Sequence, residues 1–357
     1  MKRILIINMA QFGYHSDTYY SCRYLKHRYR PVCLCWDYGQ KRIEEPGVEV
    51  RYIPRDGAFV VRMVRFLSAV LRETGGNDYD VVFVVYFRLC SFLAILRRSR
   101  TLILDIRTGY VLPGMVRGLL YNAAIRLESI PFRRVTVITE ELRALLRIPP
   151  KKCHILPLGA EPWDIRPAPL NALRLLYVGT FDGRRIDETV RGFDRFASKV
   201  RGRAAVSYDI IGFGLPADAG RMEAAIGSAA NRDLIRFHGL VPHRDLPPHF
   251  SRCNVGVVYV PIVARQEPQP YTKTYEYLLA GMPVVATANS SNRKMIVDAN
   301  GVLVQDDPDA FAAGLERVLE RLGTYDPVAI RREAMQHSWR SIVETNLLPY
   351  LDSQVRR

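Results

Sequence analysis

Long hydrophobic runs are missing from this chain of 357 residues. The longest apolar stretches, Val81–Phe87 and Val255–Ile262, fall far short of the ~20 residues a membrane-crossing helix needs. A helical crossing of a bilayer is not expected. The opening Met1–Ile7 has the basic start of a signal peptide but too short an apolar stretch, and it reads as a first strand. Cysteine is sparse: the six lie at 22, 33, 35, 90, 153 and 253, with no CxxC pair and no zinc spacing. That excludes a disulfide framework and points to a reducing, cytosolic compartment. No segment is of low complexity. The dinucleotide fingerprint G-x-G-x-x-G is also lacking, because Ala217 stands where Gly212-Phe213-Gly214 would need its third glycine. A dinucleotide-dependent oxidoreductase is thereby set aside. Acidic pairs offer no metal centre: Asp78–Asp80 directly precedes a strand, and Asp306, Asp307 and Asp309 fall in a late turn before a helix. No metal or cofactor is expected.

The composition present, 48% hydrophobic and 24% charged, is that of a globular protein, and the length suits two domains. The net charge of +15 is uneven: residues 1–165 hold 26 Lys/Arg against 15 Asp/Glu, whereas 166–357 hold 25 against 21. The basic excess coincides with large apolar residues in Phe59–Arg72, Phe87–Arg100 and Val111–Arg134. Such stretches suit an anionic membrane surface at about 1 kcal/mol per basic residue; they equally suit ordinary helices with solvated arginines outside. No nucleic-acid-binding motif accompanies them, so nucleic acid is not an expected partner.

Short β-rich runs alternate with helical stretches through the first half: Ile4–Asn8, Val32–Trp36, Val48–Ile53, Val81–Val85, Leu102–Ile106, Val135–Thr139 and His154–Leu158. Pro157–Leu173, with four prolines and no period, reads as a linker. The rhythm restarts with Leu173–Val178, Val206–Ile211, Ile235–His238, Val255–Tyr259, Val284–Ala286 and Gly301–Val304. The fold class is therefore α/β, with two doubly wound Rossmann-like domains. Their spans are 1–165 and 166–335, and the helical 336–357 is expected to return to the first. Sheets of this kind bind ligands beyond the carboxyl ends of their strands, so two facing domains would share a central cleft.

The most informative stretch is Gln269–Thr287, QPYTKTYEYLLAGMPVVAT. Lys273 and Glu276 stand three apart in the first turns of a helix that stops at Gly281. The N-terminus of that helix, after Tyr271 and Thr272, supplies free N–H groups and partial positive charge for a diphosphate. Lys273 adds a full charge, and Glu276 can accept from a ribose diol. In Leu175–Phe193 a strand ends at Gly179, followed by Arg184 and Arg185 before an amphipathic helix. Glycine lets a ligand approach the backbone, and arginine can hold phosphate oxygens bidentately; a turn glycine and solvated arginines would look the same.

Together these segments resemble family 4 retaining glycosyltransferases of the GT-B fold. The likeness runs through Tyr177-Val178-Gly179, Ile210–Gly214, Phe237–Val241, Cys253–Gly256 and Lys273–Thr287, and is weaker in the first half at Gly13, Asp105–Arg107 and Val137–Glu140. It implies a retaining, metal-independent hexosyltransferase. The donor would be a nucleoside-diphosphate sugar, of UDP or GDP type, and the acceptor a glycan or polyprenyl-linked lipid in surface polysaccharide synthesis. Such an enzyme would sit in the cytoplasm, peripheral to the membrane.

By the same resemblance Arg185 (or Arg184) and Lys273 grip the diphosphate, Glu276 binds the ribose, and backbone near Leu240, Val241 and Pro242 holds the base. Gly13, Gly179, Gly214, Tyr271 and Thr272 join the donor site. Pro268 occupies the place of the family's first motif acid, with Glu267 one residue off register. Arg107 stands where many relatives have a histidine; with Asp105 it either lines the sugar or acceptor side of the cleft or forms a buried salt bridge at a strand end. His15 is a further residue after Gly13. A nucleotide-sugar 2-epimerase on the same architecture is the alternative, for which Glu267 is the obvious acid.

Overall fold

The computed structural model describes residues 1–97, 100–111 and 114–355. Positions 98–99 and 112–113 of the basic amphipathic runs, and the last two residues of the expected returning segment, lie outside the described residues. The chain divides into two compact units: Met1–Gly159 with Trp339–Arg357, and Ala160–Ser338. The division falls inside the proline-rich linker, six residues before position 165, and the return comes at 338 rather than 335.

The first unit is a seven-stranded parallel sheet of β1 (Lys2–Asn8), β2 (Tyr29–Asp37), β3 (Glu49–Pro54), β4 (Val81–Val85), β5 (Leu102–Ile106), β6 (Val135–Val137) and β7 (Cys153–Ile155), in the order β3-β2-β1-β4-β5-β6-β7. Both faces are covered, which is why β4 reads VVFVV with no polar alternation. Val82 and Val84 belong to one core and Val81 and Phe83 to the other, the period of two expected of a strand. The first core receives α2 (Phe59–Gly76), α3 (Ser91–Leu96), α4 (Met115–Ser129) and α5 (Glu140–Leu145); the second receives α1 (Ser16–Leu25).

The returning chain packs on that second core. Leu347 and Leu351 enter it, Lys2 pairs with Asp352 at 3.2 Å, and His154 stacks on Tyr350 at 4.1 Å.

The second unit has six parallel strands in the order β10-β9-β8-β11-β12-β13: β8 (Leu173–Thr180), β9 (Val206–Phe213), β10 (Ile235–Phe237), β11 (Val255–Val258), β12 (Val284–Thr287) and β13 (Gly301–Val304). Its helices are α6 (Ile186–Val200), α7 (Pro216–Ser228), α8 (Pro247–Arg252), α9 (Thr272–Leu279), α10 (Ser290–Met295), α11 (Pro308–Glu320) and α12 (Pro327–Ala334). The ends of β8 and β9 touch so closely that a Cβ on Gly212 would stand 1.9 Å from the Gly179 carbonyl oxygen. No helix among the described residues is long and apolar enough to cross a membrane.

Candidate functional site

In the second sheet the strand order reverses between β8 and β11. Open parallel sheets bind ligands outside the carboxyl ends of their strands at such a point. A cavity of about 260 Å³ lies there, bounded by Gly179 and Thr180 at the end of β8, Tyr259 and Val260 past β11, and Tyr271, Thr272 and Lys273 at the start of α9. The side chain of Tyr271, the residue before α9, makes no capping hydrogen bond, so the start of the helix keeps N–H groups and the positive end of its dipole for an anion.

Two cations stand at this cavity. Arg184 lines it, with its guanidinium 5.0 Å from the centre of the Tyr271 ring and its Nη1 buried without a hydrogen-bond partner. An unpaired buried donor costs about 1–3 kcal/mol, a cost that phosphate oxygens would offset. Lys273 Nζ donates to Glu276 Oε2 at 2.5 Å. Burial pushes the Glu276 carboxyl up, but Lys273 and His243 more than offset this and hold it below the ordinary carboxylate range.

Of the two arginines that the resemblance offered for the diphosphate, Arg185 (or Arg184), it is Arg184 that lines this cavity. Arg185 adopts a left-handed backbone at φ 54° where α6 begins. Its guanidinium turns to Glu188 and lies 3.8 Å from Asp306, while Glu188 also accepts from the Tyr259 hydroxyl at 2.7 Å.

Beside the cavity, the backbone after β10 is pinned to β9: His238 N–H donates to Ile210 O and Gly212 N–H to Gly239 O, both at 2.9 Å. This fixes the segment carrying Leu240, which is exposed, and Val241, which is half-buried. His243, on the turn that follows, stands 3.9 Å from Glu276 and packs against Trp163 with ring centres 5.3 Å apart. Neither was singled out from the sequence, although His243 is one residue beyond Pro242 and was within reach of that reading.

The remaining candidates are not among the residues that line this cavity. Glu267 accepts from the Ser290 N–H at 2.7 Å and so caps the start of α10. A Cβ on Gly214 would meet Phe181 at 2.8 Å; this glycine serves the packing of the β8 and β9 loops. In the first unit Gly13 has φ +89° and would clash with Ile43 if given a Cβ, and His15 caps α1 by accepting from Thr18 N–H. Asp80 accepts from the Arg3 N–H, and Asp307 caps α11.

Asp105 and Arg107 form the buried ion pair that was the second of their two readings. Arg107 Nε donates to Asp105 Oδ2 at 2.7 Å and lies 3.3 Å from Asp17; its Nη1 donates to Leu156 O at 3.1 Å. Thr136 donates to the other Asp105 oxygen at 2.6 Å. Burial raises the Asp105 carboxyl despite the opposing pull of Arg107 and Thr136. These groups tie together β5, β6 and α1. Asp105→Ala leaves Arg107 buried with Asp17 as its remaining acid and is expected to cost about 3 kcal/mol or more in chemical denaturation.

Residues 172–321 match the family Glycosyl transferases group 1. The second unit is thus a glycosyltransferase domain. Whole-chain similarity to solved structures agrees in fold. Sucrose-phosphate synthase from Thermosynechococcus elongatus is 18% identical at a TM-score of 0.72, covering 100% of this chain and 99% of that one. Anabaena HepE in complex with UDP and glucose is 12% identical at 0.74, covering 99% and 100%. The lipopolysaccharide outer core galactosyltransferase WaaB is 14% identical at 0.70, covering 99% and 100%. The two units together are therefore of the GT-B fold. No curated protein shows significant similarity to the chain.

Proposed function

We propose that this chain is a retaining glycosyltransferase that moves a sugar from a nucleoside diphosphate, of UDP or GDP type, to a glycan or lipid-linked acceptor in surface polysaccharide synthesis. The observation that carries the reading is the joining of Arg184, Lys273 and the α9 N-terminus at one cavity over the β8/β11 reversal. The donor's C1–O bond breaks toward the diphosphate, and the bond to the acceptor oxygen forms on the same face. The acceptor's proton passes to a phosphate oxygen. Charge growing on the leaving phosphate meets Arg184, Lys273 and the helix dipole, so electrostatic stabilisation does the catalytic work and transfer needs no metal. Glu276, held ionised, accepts from the ribose hydroxyls; Leu240 and Val241 bracket the base.

The unit that begins the chain is proposed as the acceptor side, docked on anionic lipid. Helices α2, α3 and α4 share one face of its sheet. Arg97 on the turn after α3 donates to Leu71 O of α2, and Glu128 of α4 accepts from the Leu89 and Ser91 N–H groups before and at the start of α3. Each follows the carboxyl end of a strand, so their N-terminal turns lie toward that edge. Those turns expose Phe59, Val60, Val61, Val64, Phe92, Met115, Val116, Leu119 and Leu120. Arginines interleaved with these residues supply the charge complement to lipid headgroups.

The donor reading is tested by thermal shift against UDP, GDP, ADP, CMP and NAD, repeated with Lys273→Ala and Glu276→Ala. One nucleoside diphosphate should raise the melting temperature, and both variants should lose the rise. Stabilisation by NAD alone, or by no nucleotide in a folded protein, would overturn the reading.

A further inference from the structure

On the far side of the second sheet from β13, three side chains converge that the donor site does not use. Asp209 lies on β9, paired in register with Arg236 of β10; His238 is the residue after β10, and His249 sits on α8. One potential ligand atom from each lies within 4.8 Å of the other two. Asp209 is buried, at 6% exposure. His238 Nε2 is 2.5 Å from Asp209 Oδ1. The His238 and His249 rings meet edge to face with centres 4.7 Å apart. The Cys253 thiol donates to the other Asp209 oxygen at 3.7 Å.

We propose that Asp209, His238 and His249 bind one divalent transition-metal ion, with zinc as the best chemical fit. Two imidazoles and a carboxylate are ligands that zinc and its neighbours prefer over magnesium or calcium. A triangle of this size closes on an ion, with ligand bonds of about 2.0–2.2 Å, through small side-chain rotations. Three protein ligands leave a fourth position for solvent.

Arg252 competes with the ion. Its Nη2 is 2.9 Å from His249 Nδ1, and a neutral imidazole has one lone pair. If Nε2 takes the metal, Nδ1 carries the proton and cannot accept from Arg252; if Nδ1 takes the metal, Arg252 is displaced. Arg252 is exposed and can swing into solvent. Through His238 the ion would also fasten the start of the segment bearing Leu240 and Val241. That consequence rests on the donor reading, but the metal site does not.

The test uses the full chain, stripped with EDTA, reloaded with Zn²⁺ or Co²⁺ and freed of excess metal by gel filtration. Metal analysis is expected to find one ion per chain, and the Co²⁺ form should show visible d–d absorption. His238→Ala and His249→Ala should each weaken binding by about tenfold or more, and Arg252→Ala should tighten it. Failure of the folded parent protein to retain metal would overturn the proposal. So would retention unchanged in both histidine variants, whose folding is checked by circular dichroism. No nucleotide enters the measurement, so failure of the donor reading leaves it intact.

Discussion

Lys273→Ala is expected to lower kcat/KM for sugar transfer by roughly 10²–10³-fold, the loss typical when one preorganised stabiliser of developing charge is removed. Arg184→Ala should fall in the same range, because its guanidinium lines the same cavity with one nitrogen unpaired. The two losses should not add, since both groups act on one diphosphate. Lys273 has a second task, as counter-ion to the half-buried Glu276, so its removal also destabilises the fold. Measuring kcat and KM beside the melting temperature separates the two effects. Glu276→Gln keeps the shape and removes the charge that Lys273 faces; it should raise KM for the donor more than it lowers kcat. A Lys273→Ala enzyme with unchanged kcat/KM would remove the electrostatic mechanism.

Thirteen strands were legible in the sequence because both faces of each sheet are covered, which turns strands into nearly continuous apolar runs such as Val81–Val85 and Val255–Val258. Helix α9 was legible for a different reason: the spacing of Lys273 and Glu276 and the stop at Gly281, whose φ of +80° only glycine adopts readily. Side-chain destinations were less so. Nothing in the letters Arg184-Arg185 tells which one lines the cavity; the structure places Arg184 there and leaves Arg185 exposed, with a left-handed backbone. Glu267 stood one place from a motif position, yet the start of α10 captures its carboxylate. Asp209, His238 and His249 follow no metal-ligand spacing, and they meet through the pairing of β9 with β10 and the placement of α8.

Whether the apolar residues of Val111–Arg134 face a core or the outside was open in the sequence, since a helix with solvated arginines and a membrane-seeking helix share a composition. The structure resolves it residue by residue: α4 buries Gly118, Ile125 and Ser129, while Leu119 and Leu120 are 65% and 68% exposed. Leu119→Asp with Leu120→Asp should therefore leave stability within about 0.5 kcal/mol of the parent. Each leucine buried in lipid contributes about 1.5–3 kcal/mol, so the pair should weaken binding to vesicles containing anionic lipid by about a hundredfold or more. Arg117→Ala should reduce that binding more modestly, by about 1 kcal/mol, and most visibly at low salt, because screening at high ionic strength already removes most of its effect. Sedimentation with anionic and with neutral vesicles separates the two contributions: the double aspartate variant should bind both more weakly, and the arginine variant only the anionic ones. If the parent protein ignored anionic vesicles at low salt, the membrane placement would fall while the donor site stood, because the Arg184–Lys273 cavity lies wholly within the second unit.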